Sequence, residues 1–141
     1  MAADGPRTNY RSDAPWEVAA GFSRAVRIGQ AVHVSGTAAT GPDGRLVGVG
    51  DAYAQARQAL ANVEAALARA GAGLKDVVRT RIYVTDIDRW AEIGRAHAEA
   101  LGGAAPAGTM VQVARLIDPE MLVAIEADAV APDDWIDDAL R

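Results

Sequence analysis

From Pro106 to Pro132 the chain reads PAGTMVQVARLIDPEMLVAIEADAVAP, two runs with strand periodicity joined by a loop. The first run, Thr109 to Ala114, reads as a short strand. The second, Met121 to Val130, is strongly apolar and divides its residues between two faces. Leu122, Ala124, Glu126, Asp128 and Val130 fall on one face, and Val123, Ile125, Ala127 and Ala129 on the other. A strand with one wholly apolar face needs a helical layer or a second sheet against it. Its opposite face carries two carboxylates about 7 Å apart, which is unusual inside so apolar a segment.

Working outward, the preceding chain supplies that layer. Ala56, Ala59, Leu60, Val63, Ala66, Leu67 and Ala70 recur at spacings of three and four, which predicts a helix over Asp51 to Ala70. Asp51 is placed to cap its start and Gly71 to end it. A second helix is predicted from about Asp88 to Leu101, with Trp90, Ile93, His97 and Leu101 on one stripe and Gly102-Gly103 after it. Between the helices, Val77 to Val84 reads as a strand with Val78, Thr80, Ile82 and Val84 on one face and Arg79, Arg81 and Tyr83 on the other. Upstream, Arg24 to Ile28 and Ala31 to Ser35 flank Gly29-Gln30. A glycine first in a two-residue turn supplies the positive φ of a type II′ hairpin. The expected order is ββαβαββ: one α+β domain, a mixed sheet with two helices on one face. We expect an extended arm over residues 1–17, the domain over 18–132, and an acidic tail over 133–141 ending in a short helix or a free end. The other sheet face stays open although several of its residues are apolar, and a face of that kind asks for a partner.

Composition narrows the function classes. The 141 residues contain no cysteine, so disulfides, thiolate nucleophiles and Cys-zinc sites are excluded. With only His33 and His97, no His-based metal centre is expected. Net charge is -5 and no run of Lys or Arg occurs, which argues against nucleic acid as a partner. No apolar run of membrane-spanning length exists, and the first residues, MAADGPRTNYRSDAPW, have no signal-peptide core. A cytoplasmic protein is the expectation. The stretch GPDGRLVGVG lacks the strand–loop–helix spacing of a phosphate cradle.

The signature from Pro106 onward resembles that of the RidA/YjgF family, P-A-R-[ST]-x-V-x-V-x-x-L…[IV]-E-[IV]-[ED]-A-x-A. Val34-Ser35-Gly36 matches the family's V-S-G, and Gly21-Phe22-Ser23 loosely matches its G-P-Y-S. The resemblance covers roughly Trp16 to Pro132. It implies a chorismate-mutase-like (YjgF-like) fold, a homotrimer whose sheets pack around a central barrel, and small-molecule clefts between subunits. It further implies cofactor-free hydrolysis of an imine or enamine, with Glu126 positioning and activating water. In the same terms Phe22, Ser35, Gly36, Gly94, Gly108 and Thr109 line the substrate cleft. The ribonuclease activity often attached to the family is disfavoured by the acidic charge and the absence of a paired catalytic histidine.

Three positions depart from the pattern. Phe22 stands where the family has tyrosine, so the ring stays and the phenolic hydroxyl is lost. Gly94 stands where deaminating members have asparagine. Gly108 stands where they have an arginine that clamps the substrate carboxylate. An arginine fork makes two charge-assisted hydrogen bonds that glycine cannot make. Its loss forfeits roughly 2–5 kcal/mol of binding to an imino acid, a factor of about 30 to several thousand. Two readings follow: a hydrolase for an imine or enamine that is not a simple 2-imino acid, or a non-catalytic ligand-binding trimer using the same cleft. Arg24, Arg81 or Arg95 are candidates for a substitute cation. Several residues keep two roles open. Glu126 either handles water, with burial raising its pKa, or forms an interface salt bridge. Asp128 is neutralised by Arg81 or Arg115, or shares a cation with Glu126. Ser35 is a cleft wall or bonds only to backbone. His33 and His97 read as packing or surface histidines.

Overall fold

The structure is a computed structural model and describes residues 7–132. Six strands form one mixed sheet in the order β1-β2-β3-β6-β4-β5. They are β1 (Thr8–Tyr10), β2 (Ala25–Ile28), β3 (Ala31–Thr37), β4 (Val77–Val84), β5 (Ala107–Gln112) and β6 (Val123–Val130). Three helices accompany them: α1 (Pro15–Ala20), α2 (Ala52–Arg69) and α3 (Trp90–Leu101). Every pairing is antiparallel except β4 with β5. The predicted ββαβαββ order is present, preceded by β1 and α1. Both are too short to leave a periodic signature, and β1 exists only because it pairs with β2. The expectation for the last nine residues lies outside the described residues.

The core sits between α2, α3 and one face of the sheet. Ala56, Ala59, Leu60, Val63 and Leu67 of α2 meet Val32 and Val34 of β3 and Val123, Ile125 and Ala127 of β6, all essentially buried. Alanines on α2 let the helix approach the strands closely. The Asp51 side chain accepts the Ala54 N–H at 3.0 Å, and Gly71 at φ 81° follows the C-terminus. Gly29 takes φ 58° in the β2–β3 turn, as the hairpin requires.

Two sequence expectations fail locally. Val78 does not share the buried face with Thr80. A bulge between Val77 and Arg79 adds a residue to β4, so Val77 turns inward and Val78 is 49% exposed. Trp90 is not part of the packed stripe of α3. It is the first helical residue and 60% exposed, whereas Ile93, Ala96 and Leu101 are buried.

A buried glutamine fixes the connection into β6. Gln55 on α2 is fully buried. Its amide nitrogen donates to Gly48 O (3.2 Å) and Glu120 O (3.0 Å), and its oxygen accepts from Leu122 N (2.9 Å). The 113–122 loop is thereby held against the start of α2, which sets where β6 begins.

Candidate functional site

The open sheet face is built by alternation. On β6, Val123, Ile125, Ala127 and Ala129 are buried toward the helices, so Glu126 and Asp128 project the other way. On β4, Thr80, Ile82 and Val84 are buried, and Arg79, Arg81 and Tyr83 face out. Register then lines residues up across the sheet. Thr109 of β5 pairs with Arg81 of β4, and Arg81 pairs with Glu126 of β6. On the far side of Glu126, β3 breaks register between Val34 and Thr37, which places Ser35 and Gly36 at a bulge. Thr109, Arg81, Glu126 and the Ser35–Gly36 bulge thus form one row.

Arg81 lies between the two carboxylates. Its Nη1 is 3.7 Å from Glu126 Oε1 and 3.1 Å from Asp128 Oδ2. Asp128 also bonds to His33 Nδ1 at 2.8 Å. Arg81 therefore neutralises Asp128, with His33 as a second partner. Partial burial alone would raise the Asp128 pKa. The hydrogen bonds from His33 and Arg81 more than offset this and hold it below the ordinary carboxylate value. Glu126 is less enclosed than its apolar strand suggests: its side chain is 36% exposed, because the flanking apolar residues point to the opposite face. Burial and the neighbouring Glu126 both push the Tyr83 phenol upward. A phenol thus does stand beside Glu126, on β4, although Phe22 lacks one. The alternation of β4 already placed Arg81 and Tyr83 on one face, and that was the available signal.

The other proposed site residues separate into two groups. Gly21 at φ 79° ends α1 and throws Phe22 outward, 55% exposed. The neighbouring Ser23 O accepts from Ser35 Oγ at 2.7 Å, so Ser35 spends its hydroxyl on backbone. Gly36 O accepts from Arg24 Nη2 at 2.6 Å. Gly108 and Gly94 lie on the helical side. Gly108 pairs with Thr80, and a Cβ there would meet Thr80 Oγ1 at 3.5 Å. A Cβ on Gly94 would meet only the Trp90 ring, at 3.8 Å. Beneath Gly108, Thr80 Oγ1 and His97 Nε2 are 2.8 Å apart. Burial lowers the His97 pKa, which favours the neutral imidazole in this packed position. Of the candidate substitute cations, Arg24 is committed to Glu17 (3.7 Å) and Gly36 O, and Arg95 lies 3.9 Å over the Tyr53 ring.

Comparison with known proteins gives one consistent relationship. Residues 12–131 match the family described as Endoribonuclease L-PSP. An uncharacterised protein of Streptomyces coelicolor is 38% identical over 122 residues, 84% of this chain and 88% of that protein. A RutC family protein of Pyrococcus abyssi is 32% identical, covering 77% of this chain and 84% of its own length. Among solved structures, a YjgF-family protein from Mycobacterium tuberculosis is 52% identical, with a TM-score of 0.81 over 89% of this chain and 100% of that one. RidA from an Antarctic Psychrobacter is 28% identical, with a TM-score of 0.75 over 86% and 94% of the two chains. With this sheet order, this signature and these relatives, the chain belongs to the RidA/YjgF family.

Proposed function

We propose that this protein hydrolyses a C=N bond of a small imine or enamine at Glu126, without a cofactor. The row Thr109–Arg81–Glu126 beside the Ser35–Gly36 bulge carries this reading. The Glu126 carboxylate, oriented by Arg81, accepts a proton from a water whose oxygen adds to the imine carbon. The C=N electron pair moves onto nitrogen, which takes up a proton. Glu126 then passes the proton it holds to the amine nitrogen, the new hydroxyl gives up its proton as the C=O bond forms, and the C–N bond breaks with its electron pair leaving on nitrogen, giving a carbonyl and ammonia. Water delivery and proton transfer are the whole requirement.

In one subunit the row on the open face and the pair Gly94–Gly108 on the helical side do not converge. We propose that the cleft closes in a homotrimer, with the second wall supplied by a neighbouring copy. No arginine stands at Gly108, and Arg81 is already shared by two carboxylates. The preferred substrate is therefore not a simple 2-imino acid held by its carboxylate. The same saturation of Arg81 favours a second reading, a trimer that binds small ligands in this cleft without turnover.

Ammonia release from 2-iminobutanoate or 2-iminopropanoate generated in situ distinguishes the two. Wild type, Glu126→Gln and Gly108→Arg are compared. Weak wild-type activity, raised by Gly108→Arg and abolished by Glu126→Gln, supports hydrolysis with altered specificity. No activity in any variant, with all three folded and trimeric, supports the ligand-binding reading. A monomer in solution sinks both.

A further inference from the structure

A groove of about 660 Å³ lies on the helical side of the sheet, with walls from α1, the loop after β3 and α2. Neither Glu126 nor Thr109 borders it, so it is separate from the row described above. Its volume falls in the range of small-molecule sites. Much of its lining is apolar: Pro15, Trp16, Pro42, Ala65 and Ala66.

Most polar groups in its walls are already committed. Asn62 donates to Ala38 O and Thr40 O, and its oxygen accepts from Gln58. Thr37 Oγ1 donates to Ser35 O. Asp43 accepts from Arg45 N and faces the Arg45 guanidinium at 4.0 Å. Arg24 is bound to Glu17 and Gly36 O, and its Nε is buried without an acceptor, so it serves as wall. Two charged groups are left. Arg69 is steered by Arg11 O at 2.8 Å and the Tyr10 ring at 5.6 Å, but has no carboxylate partner among the described residues. Asp13, two residues beyond Arg11, has no cation partner there.

We infer that this groove is a second ligand site, and that it takes an apolar amino acid as its zwitterion. The carboxylate meets Arg69, the ammonium meets Asp13, and the side chain lies over Trp16, Pro42 and Ala65. A molecule with only one of the two charges pairs with one of these groups and leaves the other, whose charge is like its own, uncompensated. Opposite charges in the lining of an apolar groove match a zwitterion with an apolar body.

Three probes of one shape test this: L-phenylalanine, 3-phenylpropionate and phenethylamine, each titrated into the full-length protein and followed by amide chemical shifts. Expected is saturable L-phenylalanine binding, about tenfold tighter than either singly charged probe. Shifts should centre on Thr40, Ala65 and Arg69. Arg69→Ala should bring L-phenylalanine down to the affinity of phenethylamine, and Asp13→Asn down to that of 3-phenylpropionate. Ala65→Trp, which fills the groove from an exposed helix position, should abolish binding, and Glu126→Gln should leave it unchanged. If Ala65→Trp does not fold, the two charge variants decide alone. The inference is overturned by no saturation at about 10 mM L-phenylalanine. Shifts centred on Glu126 and Thr109, or indifference of the affinity to both charge variants, overturn it equally.

Discussion

Arg81 and Glu126 stand opposite each other on β4 and β6, with Nη1 3.7 Å from Oε1. The same guanidinium reaches Asp128, so one cation separates two carboxylates on one sheet face. All three side chains are between a quarter and a half exposed, which limits what their attraction contributes. Arg81→Ala should cost about 1 kcal/mol at low salt, chiefly by leaving Glu126 and Asp128 unscreened from each other. In about 1 M NaCl, where screening acts within a few ångström, the difference should shrink toward zero. Urea unfolding at the two salt concentrations measures it.

Glu17 is a costlier ion to disturb. It is 2% exposed, accepts from the Ser12 amide at 2.8 Å and from the Ser12 hydroxyl, and faces Arg24 at 3.7 Å. Burial lowers the Arg24 pKa and the Glu17 charge partly restores it. Glu17→Ala removes that compensation and should destabilise the fold by about 3 kcal/mol in urea titration. Converting both partners together, Glu17→Leu with Arg24→Met, should recover most of the loss, because no buried charge is left alone.

Gln55→Leu should cost about 3 kcal/mol. The change keeps approximate volume but orphans Gly48 O, Glu120 O and Leu122 N, which are part-buried, so each costs about 1 kcal/mol when unpaired, at the low end for a lost partner. Faster amide exchange in the 113–122 loop should accompany the loss.

His97 gives a pH signature. Its folded-state pKa is lowered from 6.5 by burial, so the unfolded chain binds the extra proton first. The His97 contribution is therefore fully present above about pH 6.5 and declines as pH falls below it, levelling off beneath the folded value. Thermal unfolding between pH 7.5 and about 5 should show a slope that His97→Gln, which can still bond Thr80, reduces.

Much of the architecture was legible in the chain alone. Alternation in β6, and in β4 from Thr80 onward, fixes which side chains face the helices, because a pleated strand has no other way to bury half its residues. The three-and-four spacing of α2 and the Asp51 cap are equally local. So was the family, since its signature is a contiguous string. The sequence also named Glu126, Asp128 and Arg81 as neighbours in kind. Their meeting depends on inter-strand register, which is set by pairings between segments distant in the sequence. Register also decided that His33 faces Asp128, and that Ser35 and Gly36 flank Glu126 at a bulge. The inward turn of Val77 and the exposure of Val78 come from an extra residue in one strand, which no periodicity announces. The groove over Arg69 has the same origin. Its walls come from three segments distant in sequence, and which groups stay unpaired there depends on where every other hydrogen bond goes. Periodic burial is a property of one segment and is written in it; partnership between polar side chains is a property of the packed whole.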